Sequence, residues 1–231
     1  MTTTQSNDDK LIMALPNGRI LNEVMPLLRC AGIEPEPAFD DPKARQLRFT
    51  TSDPGLDIIR VRAFDAATFV AFGAAHIGVV GNDVLMEFDY SDLYAPLDLD
   101  IGHCRMMVAG PKDSVEHEDP RTWSHVRVAS KYPEVAHRHF AARGVQAEVI
   151  KLNGAVELAP VMGLCRYIVD LVQTGSTLRA NGLVEVEHIF DVTSRLIVNR
   201  TALKTRPDEL GQWIDALREV VGAKTGIAVP A

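Results

Sequence analysis

Nowhere in the chain does an apolar run approach the roughly 18 residues needed to cross a bilayer, so no membrane association is expected. The first ten residues, Met1 to Lys10, lack the charged-then-apolar pattern of a secretory signal, which predicts a protein that stays in the cytoplasm. Cysteine is scarce. Cys30, Cys104 and Cys165 are odd in number and far apart, which argues against a disulfide framework or a thiolate metal site and for reduced, buried side chains. Basic residues are outnumbered, 24 against 31, for a net charge of −7 at pH 7. Such a balance offers no bulk attraction to nucleic acid, so any phosphate must be gripped locally. No His-Glu-x-x-His, Gly-x-x-x-x-Gly-Lys-Ser/Thr or Gly-x-Gly-x-x-Gly occurs, which removes the zincin, P-loop and Rossmann readings.

What is present is ordinary for a folded chain: 46% hydrophobic and 24% charged residues exclude disorder and fibrous repeats. At 231 residues, one large domain or two small lobes are open. Lys10 to Leu15 reads as a strand broken by Pro16-Asn17-Gly18, and Ile20, Leu21, Val24, Leu27, Leu28 and Ala31 lie on one helical face that Gly32 ends. Strands at Gln46–Thr51 and Leu56–Arg62 flank the turn Ser52-Asp53-Pro54-Gly55, Asp65 is expected to cap a helix Ala66–Ala75, and His76–Val80 is a buried strand before a short helix at Asn82-Asp83. From about residue 100 come strands at Cys104–Ala109, Val126–Ser130, Ala147–Leu152 and Tyr167–Val172, with helices at Pro133–Arg143, near Val156 and after Gly175. Strands alternating with helices predict an α/β protein with parallel sheets. Val184–Asp191 and Ser194–Asn199 read as strands joined by a tight turn, and the last helix places Leu210, Trp213, Ile214, Leu217, Val220 and Val221 at helical spacing. Lys112 to Arg121 reads as an exposed loop.

The most informative stretch runs Ile168-Val169-Asp170-Leu171-Val172-Gln173-Thr174-Gly175-Ser176-Thr177-Leu178, an apolar strand with one acid, a small hydroxyl-bearing turn, then a helix start. Successive N–H groups in such a turn form a concave nest, Gly175 lets the backbone come close, hydroxyls donate, and the helix terminus adds partial positive charge. A phosphomonoester can sit there without a cation. Alternatively, Ser176 or Thr177 simply caps a helix. Asp170 weighs for the ligand, because a carboxylate inside a Val/Ile/Leu strand is costly without a partner. Arg19 opens a helix, where a cation opposes the dipole, so a ligand is the better reason for it. Arg45 and Arg48 are either ligands or solvated strand-edge residues, and Asp83 is either functional or a helix cap.

Glu157, five residues, Gly163, then Ile168-Val169-Asp170-Leu171, two residues and Thr174-Gly175-Ser176-Thr177-Leu178 resembles the signature of the ATP phosphoribosyltransferase family. Leu15-Pro16-Asn17-Gly18-Arg19, Arg62 with Asp65, Gly78 to Leu85, Cys104-Arg105 and Lys131-Tyr132-Pro133 resemble it in the same order, over about residues 10 to 205. Two positions depart from the pattern: Cys165 replaces a smaller residue, and His76 stands where an acid is common. The resemblance implies transfer of the phosphoribosyl group of phosphoribosyl pyrophosphate to N1 of ATP, with release of pyrophosphate, as the first step of histidine biosynthesis. It implies Asp170, Arg62 and Arg45 as catalytic residues. Arg19, Glu157, Asp170, Thr174, Gly175, Ser176, Thr177 and Leu178 would bind substrate, and Mg²⁺ would be held mainly by substrate phosphates.

The fold implied is the two-lobed α/β arrangement of type II periplasmic binding proteins, with the active cleft between lobes. A disordered head is expected over residues 1–9, lobe I over 10–102 with 182–231, and lobe II over 103–181. Ending soon after its last helix, the chain resembles the short form of the family. That form implies a regulatory subunit similar to histidyl-tRNA synthetase in a hetero-oligomer, and a homodimer of the catalytic chain.

Overall fold

In a computed structural model describing residues 10–113 and 119–225, the apolar runs and amphipathic stretches resolve into strands and helices that alternate along most of the chain. They are β1 (Leu11–Pro16), α1 (Arg19–Cys30), β2 (Arg48–Thr50), β3 (Leu56–Val61), α2 (Ala63–Ala71), β4 (Ile77–Gly81), α3 (Asn82–Phe88), β5 (Leu93–Asp98) and β6 (Cys104–Pro111). There follow β7 (His125–Ser130), α4 (Pro133–Ala142), β8 (Gln146–Lys151), α5 (Leu158–Val161), β9 (Tyr167–Val172), α6 (Ser176–Ala180), β10 (Leu183–Val192), β11 (Ser194–Asn199), α7 (Arg200–Thr205) and α8 (Pro207–Thr225). The expected disordered head and most of the loop after Lys112 lie outside the described residues.

The described chain forms two compact units. One contains the residues up to Leu85, Asp89–Gly102 and those from Thr193 onward; the other contains Met86–Phe88 and His103–Val192. Each is built on one sheet, ordered β2-β3-β1-β4-β11-β5 in the first and β10-β6-β9-β7-β8 in the second.

Both sheets are mixed, not parallel as the alternation suggested. β1 runs parallel to β3 and β4, and β7 parallel to β8 and β9, because helices make those crossovers. β2 and β3 are antiparallel, since the five residues between them are too few for a crossover. The tail departs further. Val184–Asp191 and Ser194–Asn199 do not form a hairpin: β10 pairs antiparallel with β6, and β11 pairs antiparallel with β4 and β5 in the other sheet. Residues 182–192 therefore belong with the second unit, not with lobe I. The cause is register. β10 offers β6 a nearly full-length antiparallel edge, and Thr193, with its N–H accepted by the Asn82 side chain, starts the return to the first sheet.

In the first unit α1 and α8 lay Val24, Leu28, Leu210, Trp213 and Leu217 into one core with β1, β3 and β4. The apolar stripe of the last helix is thus used within its own unit. The helix expected from Ala66 starts at Ala63, with extended Arg62 as its cap residue; Asp65 lies in the first turn, where its charge complements the dipole. β5 carried no clear alternation and was not foreseen. In the second unit the N-terminus of α4 has no cap of its own, and Glu87 accepts the N–H groups of Glu134 and Val135 at 3.2 and 3.0 Å. Burial, the largest cause, raises the pKa of that carboxyl above its usual value.

His76, the departure from the family pattern, has a structural use. Its Nδ1 accepts the Ile12 N–H at 2.9 Å, continuing the β1–β4 pairing with a side chain. Burial first, and Arg206 second, lower its pKa below the usual 6.5. The folded state thus resists a proton that the unfolded chain accepts, so stability is full above about pH 6.5 and falls as the pH drops below it. Denaturant titrations of the wild type between pH 7 and 5.5 should show this loss. His76→Asn, which keeps an acceptor that does not titrate there, should flatten it by up to about 1.4 kcal/mol per pH unit. Superimposable slopes would assign the loss to other groups, such as the half-buried His139, whose pKa burial also lowers.

Candidate functional site

β9, the strand that supports the site, lies between β6 and β7, so Asp170 sits on an interior strand, opposite Met107 of β6. Ile168 and Val169 before it are fully buried, whereas Asp170 is half-buried and reaches the surface at the strand's C-terminal end. One of its oxygens accepts the Leu171 N–H at 2.8 Å. The chain then turns through Gln173 and Thr174 to Gly175, whose left-handed conformation (φ 70°, ψ 7°) opens α6. That conformation is why glycine stands there. No side chain caps the helix through a hydrogen bond. The Thr174 and Ser176 hydroxyls lie 3.0 Å apart, and Thr174, Ser176 and Thr177 are all exposed.

Glu157, Asp170 and Thr174 through Leu178 line one pocket of about 210 Å³, and Leu171, Val172 and Gln173 complete its wall. Ten residues of the segment thus share one concavity, whose lining combines the Glu157 and Asp170 carboxylates with the hydroxyl-bearing turn Thr174 to Thr177. Such a lining offers carboxylate oxygens that can accept from hydroxyl groups and a turn whose N–H groups can donate to an anion. A wider hollow of about 600 Å³ opens at the other end of the same strands, where β7 and β9 begin, beside Trp123, Arg127 and Cys165. Arg127 there is engaged by Glu148 at 2.7 Å, and burial raises the Cys165 thiol's pKa, which leaves it a poor nucleophile.

The arginines fall elsewhere. Arg19, Arg45 and Arg62 all belong to the first unit. Arg19 Nη2 donates to the Gly102 carbonyl at 3.2 Å, and Glu23, one turn on, accepts the Gly102 N–H at 2.7 Å and lies 3.8 Å from Arg19. A cation at the helix start therefore has a local explanation that the sequence did not show. Arg45 and Arg62 are exposed, and neither side chain makes a hydrogen bond or ion pair among the described residues. Arg48 is structural: with Lys10 it neutralises Asp57, only 2% exposed, at 2.8 and 3.0 Å. Sequence reasoning missed Arg179 and Glu185, which flank the turn's far side, and gave Arg105, bonded to Glu185, no role. Their only signal was Cys104-Arg105 in the family pattern, because a strand register decides who faces the turn.

Residues 62–219 match the family model described as ATP phosphoribosyltransferase. The chain is 70% identical over 217 residues to the ATP phosphoribosyltransferase of Paramagnetospirillum magneticum, covering 94% of this chain and 99% of that protein. It is 68% identical over 215 residues to that of Rhodospirillum rubrum, covering 93% and 95%. Among solved structures, the ATP phosphoribosyl transferase (HisG:HisZ) complex from Thermotoga maritima matches with a TM-score of 0.78 at 32% identity, over 92% of this chain and 99% of that one.

Proposed function

The chain belongs to the ATP phosphoribosyltransferase family, a two-lobed fold resembling periplasmic binding proteins, and from that premise we propose how its residues share the reaction. The enzyme joins C1 of phosphoribosyl pyrophosphate to N1 of ATP and releases pyrophosphate, the first step of histidine biosynthesis. The C1–O bond breaks with its electron pair leaving on pyrophosphate, the ring gains positive charge, and the adenine N1 lone pair forms the new bond. Little proton transfer is needed, so holding the sugar still and balancing charge are the protein's tasks.

In this reading the turn Thr174 to Leu178 holds the 5′-phosphate, and Asp170, with Glu157, accepts from the ribose hydroxyls and faces the developing positive charge. The observation that carries it is the single pocket they line. Arg62 and Arg45, whose side chains have no partner within the described protein, supply guanidinium groups to the pyrophosphate or ATP phosphates. Arg19 is a weaker candidate, since Gly102 and Glu23 already engage it.

Two carboxylates line the pocket, and among the described residues no cluster of three or more His, Cys, Asp or Glu could hold a metal alone. That donor set fits Mg²⁺, which keeps several waters and takes one or two carboxylates plus substrate phosphates. Held by Glu157 or Asp170 together with substrate phosphates, Mg²⁺ would supply positive charge that offsets the charge of pyrophosphate.

The neighbour from Thermotoga maritima is a complex of two kinds of chain. This supports, for the present chain, a catalytic subunit that works in a hetero-oligomer with a second kind of chain; from the family resemblance we further infer a short-form catalytic chain that is itself a dimer, a regulatory partner similar to histidyl-tRNA synthetase and a cytoplasmic location. Pyrophosphate release by the purified chain tests both parts. It should require ATP, phosphoribosyl pyrophosphate and Mg²⁺ together, and histidine should leave it nearly unchanged until the partner is added. Release with another nucleobase but not with ATP would overturn the activity, and strong inhibition by histidine without partner would overturn the regulatory assignment.

A further inference from the structure

Gly175 stands between two hollows. One is the hydroxyl-lined pocket; the other, about 230 Å³, is bounded by Gly175, Leu178, Arg179, Leu183, Val184 and Glu185. On that second side Arg105 of β6 grips both oxygens of Glu185 of β10, with Nη1 and Nη2 at 2.7 and 2.9 Å. β6 registers Arg105 opposite Val172, two residues before the turn begins at Thr174. A Cβ added to Gly175 would meet Arg179 Nη1 at 3.0 Å and Glu185 Oε1 at 3.3 Å. The guanidinium and the carboxylate thus rest against the back of the glycine whose left-handed conformation shapes the turn.

We propose that Arg105, Glu185 and Arg179 form a positioning brace that holds the Gly175 turn in its phosphate-accepting shape. The proposal rests on the reading of the turn as the 5′-phosphate site. None of the three lines the pocket. They act through the backbone they press on and through the one net positive charge they place behind it, and this charge favours an anion in front. The fork between Arg105 and Glu185 is bidentate, and that geometry fixes the carboxylate's orientation in a way a lysine could not reproduce. An orientation fixed in the absence of ligand spares the site the cost of ordering the turn when the phosphate arrives.

The test is steady-state kinetics on Glu185→Gln, Arg105→Lys and Ser176→Ala, with thermal midpoints. Glu185→Gln should raise the KM for phosphoribosyl pyrophosphate about tenfold and Arg105→Lys about threefold, while kcat, the KM for ATP and the midpoint stay near wild type. Ser176→Ala, which alters the pocket itself, should also raise that KM. If Ser176→Ala raises it and both brace variants leave it unchanged, the brace is refuted and the phosphate site stands. If none of the three changes it, the phosphate reading itself fails. Parallel rises in both substrates' KM with a lowered midpoint would mean that the pair only stabilises the fold, which also overturns the proposal. Should Glu185→Gln not fold, the Arg105→Lys comparison decides alone.

Discussion

Asp170→Ala is expected to lower turnover at least tenfold, about 1.4 kcal/mol of barrier, with the fold intact. The expectation follows from where the carboxylate stands. It projects from an interior strand flanked by β6 and β7, with fully buried neighbours at 168 and 169, so its position is set by the sheet. Groups carried on such elements hold reacting partners more tightly than groups on loops, and misplacement by about 1 Å can cost on the order of 100-fold. The side chain is half-buried and opens onto the pocket, so truncation leaves no large cavity in the core. Asp170→Asn separates charge from shape. If the carboxylate faces positive charge on the ribose, the amide should lose nearly as much as alanine; if it only accepts from hydroxyls, the amide should recover much of the rate. An unchanged kcat in Asp170→Ala would remove the residue from the reaction.

Gly175→Val is expected to lower kcat/KM for phosphoribosyl pyrophosphate by about 100-fold, roughly 2.7 kcal/mol. Two costs combine. A β-branched residue at φ 70° is an outlier, because the left-handed conformation crowds its Cβ by roughly 1–2 kcal/mol. Its Cβ would also sit 3.0 Å from the Arg179 guanidinium and 3.3 Å from Glu185, with two methyl groups still to place. The turn must change shape, and the hydroxyls and N–H groups move with it. ATP affinity, measured by calorimetry on the free enzyme, should change less than twofold. Gly154→Ala is the matching control, since nothing lies within 4 Å of its added Cβ, and it should leave kinetics within about twofold of wild type. A fully active Gly175→Val enzyme would show that the turn's shape does not matter.

The strand-turn-helix signature was legible because each part obeys local rules. An apolar run makes a buried strand, glycine accepts positive φ, and hydroxyls sit where a helix begins. The strand Tyr167–Val172 has the bounds its composition suggested, and one pocket is lined by Glu157, Asp170 and Thr174 to Leu178 of the signature, while Gly163 borders the wider hollow and Ile168 and Val169 are buried. The arginines were less legible. Arg19 looked poorly placed from dipole arguments alone, yet Gly102, 83 positions away, and Glu23 engage it. Arg48 and Asp57 likewise look like scattered charges until the antiparallel β2–β3 pair brings them together.

By itself, the sequence determined the kinds of element, the acid on its strand, the glycine at the turn and, through those motifs, the family and its reaction. Each of these depends on neighbours within a few positions, where dihedral preference and spacing act directly. Only the tertiary structure decided that Val184–Asp191 and Ser194–Asn199 separate into two sheets, and that Arg105 and Glu185, 80 positions apart, meet behind Gly175. Strand pairing is settled by competition among distant edges for hydrogen bonds and buried area, and no local pattern encodes which edge wins.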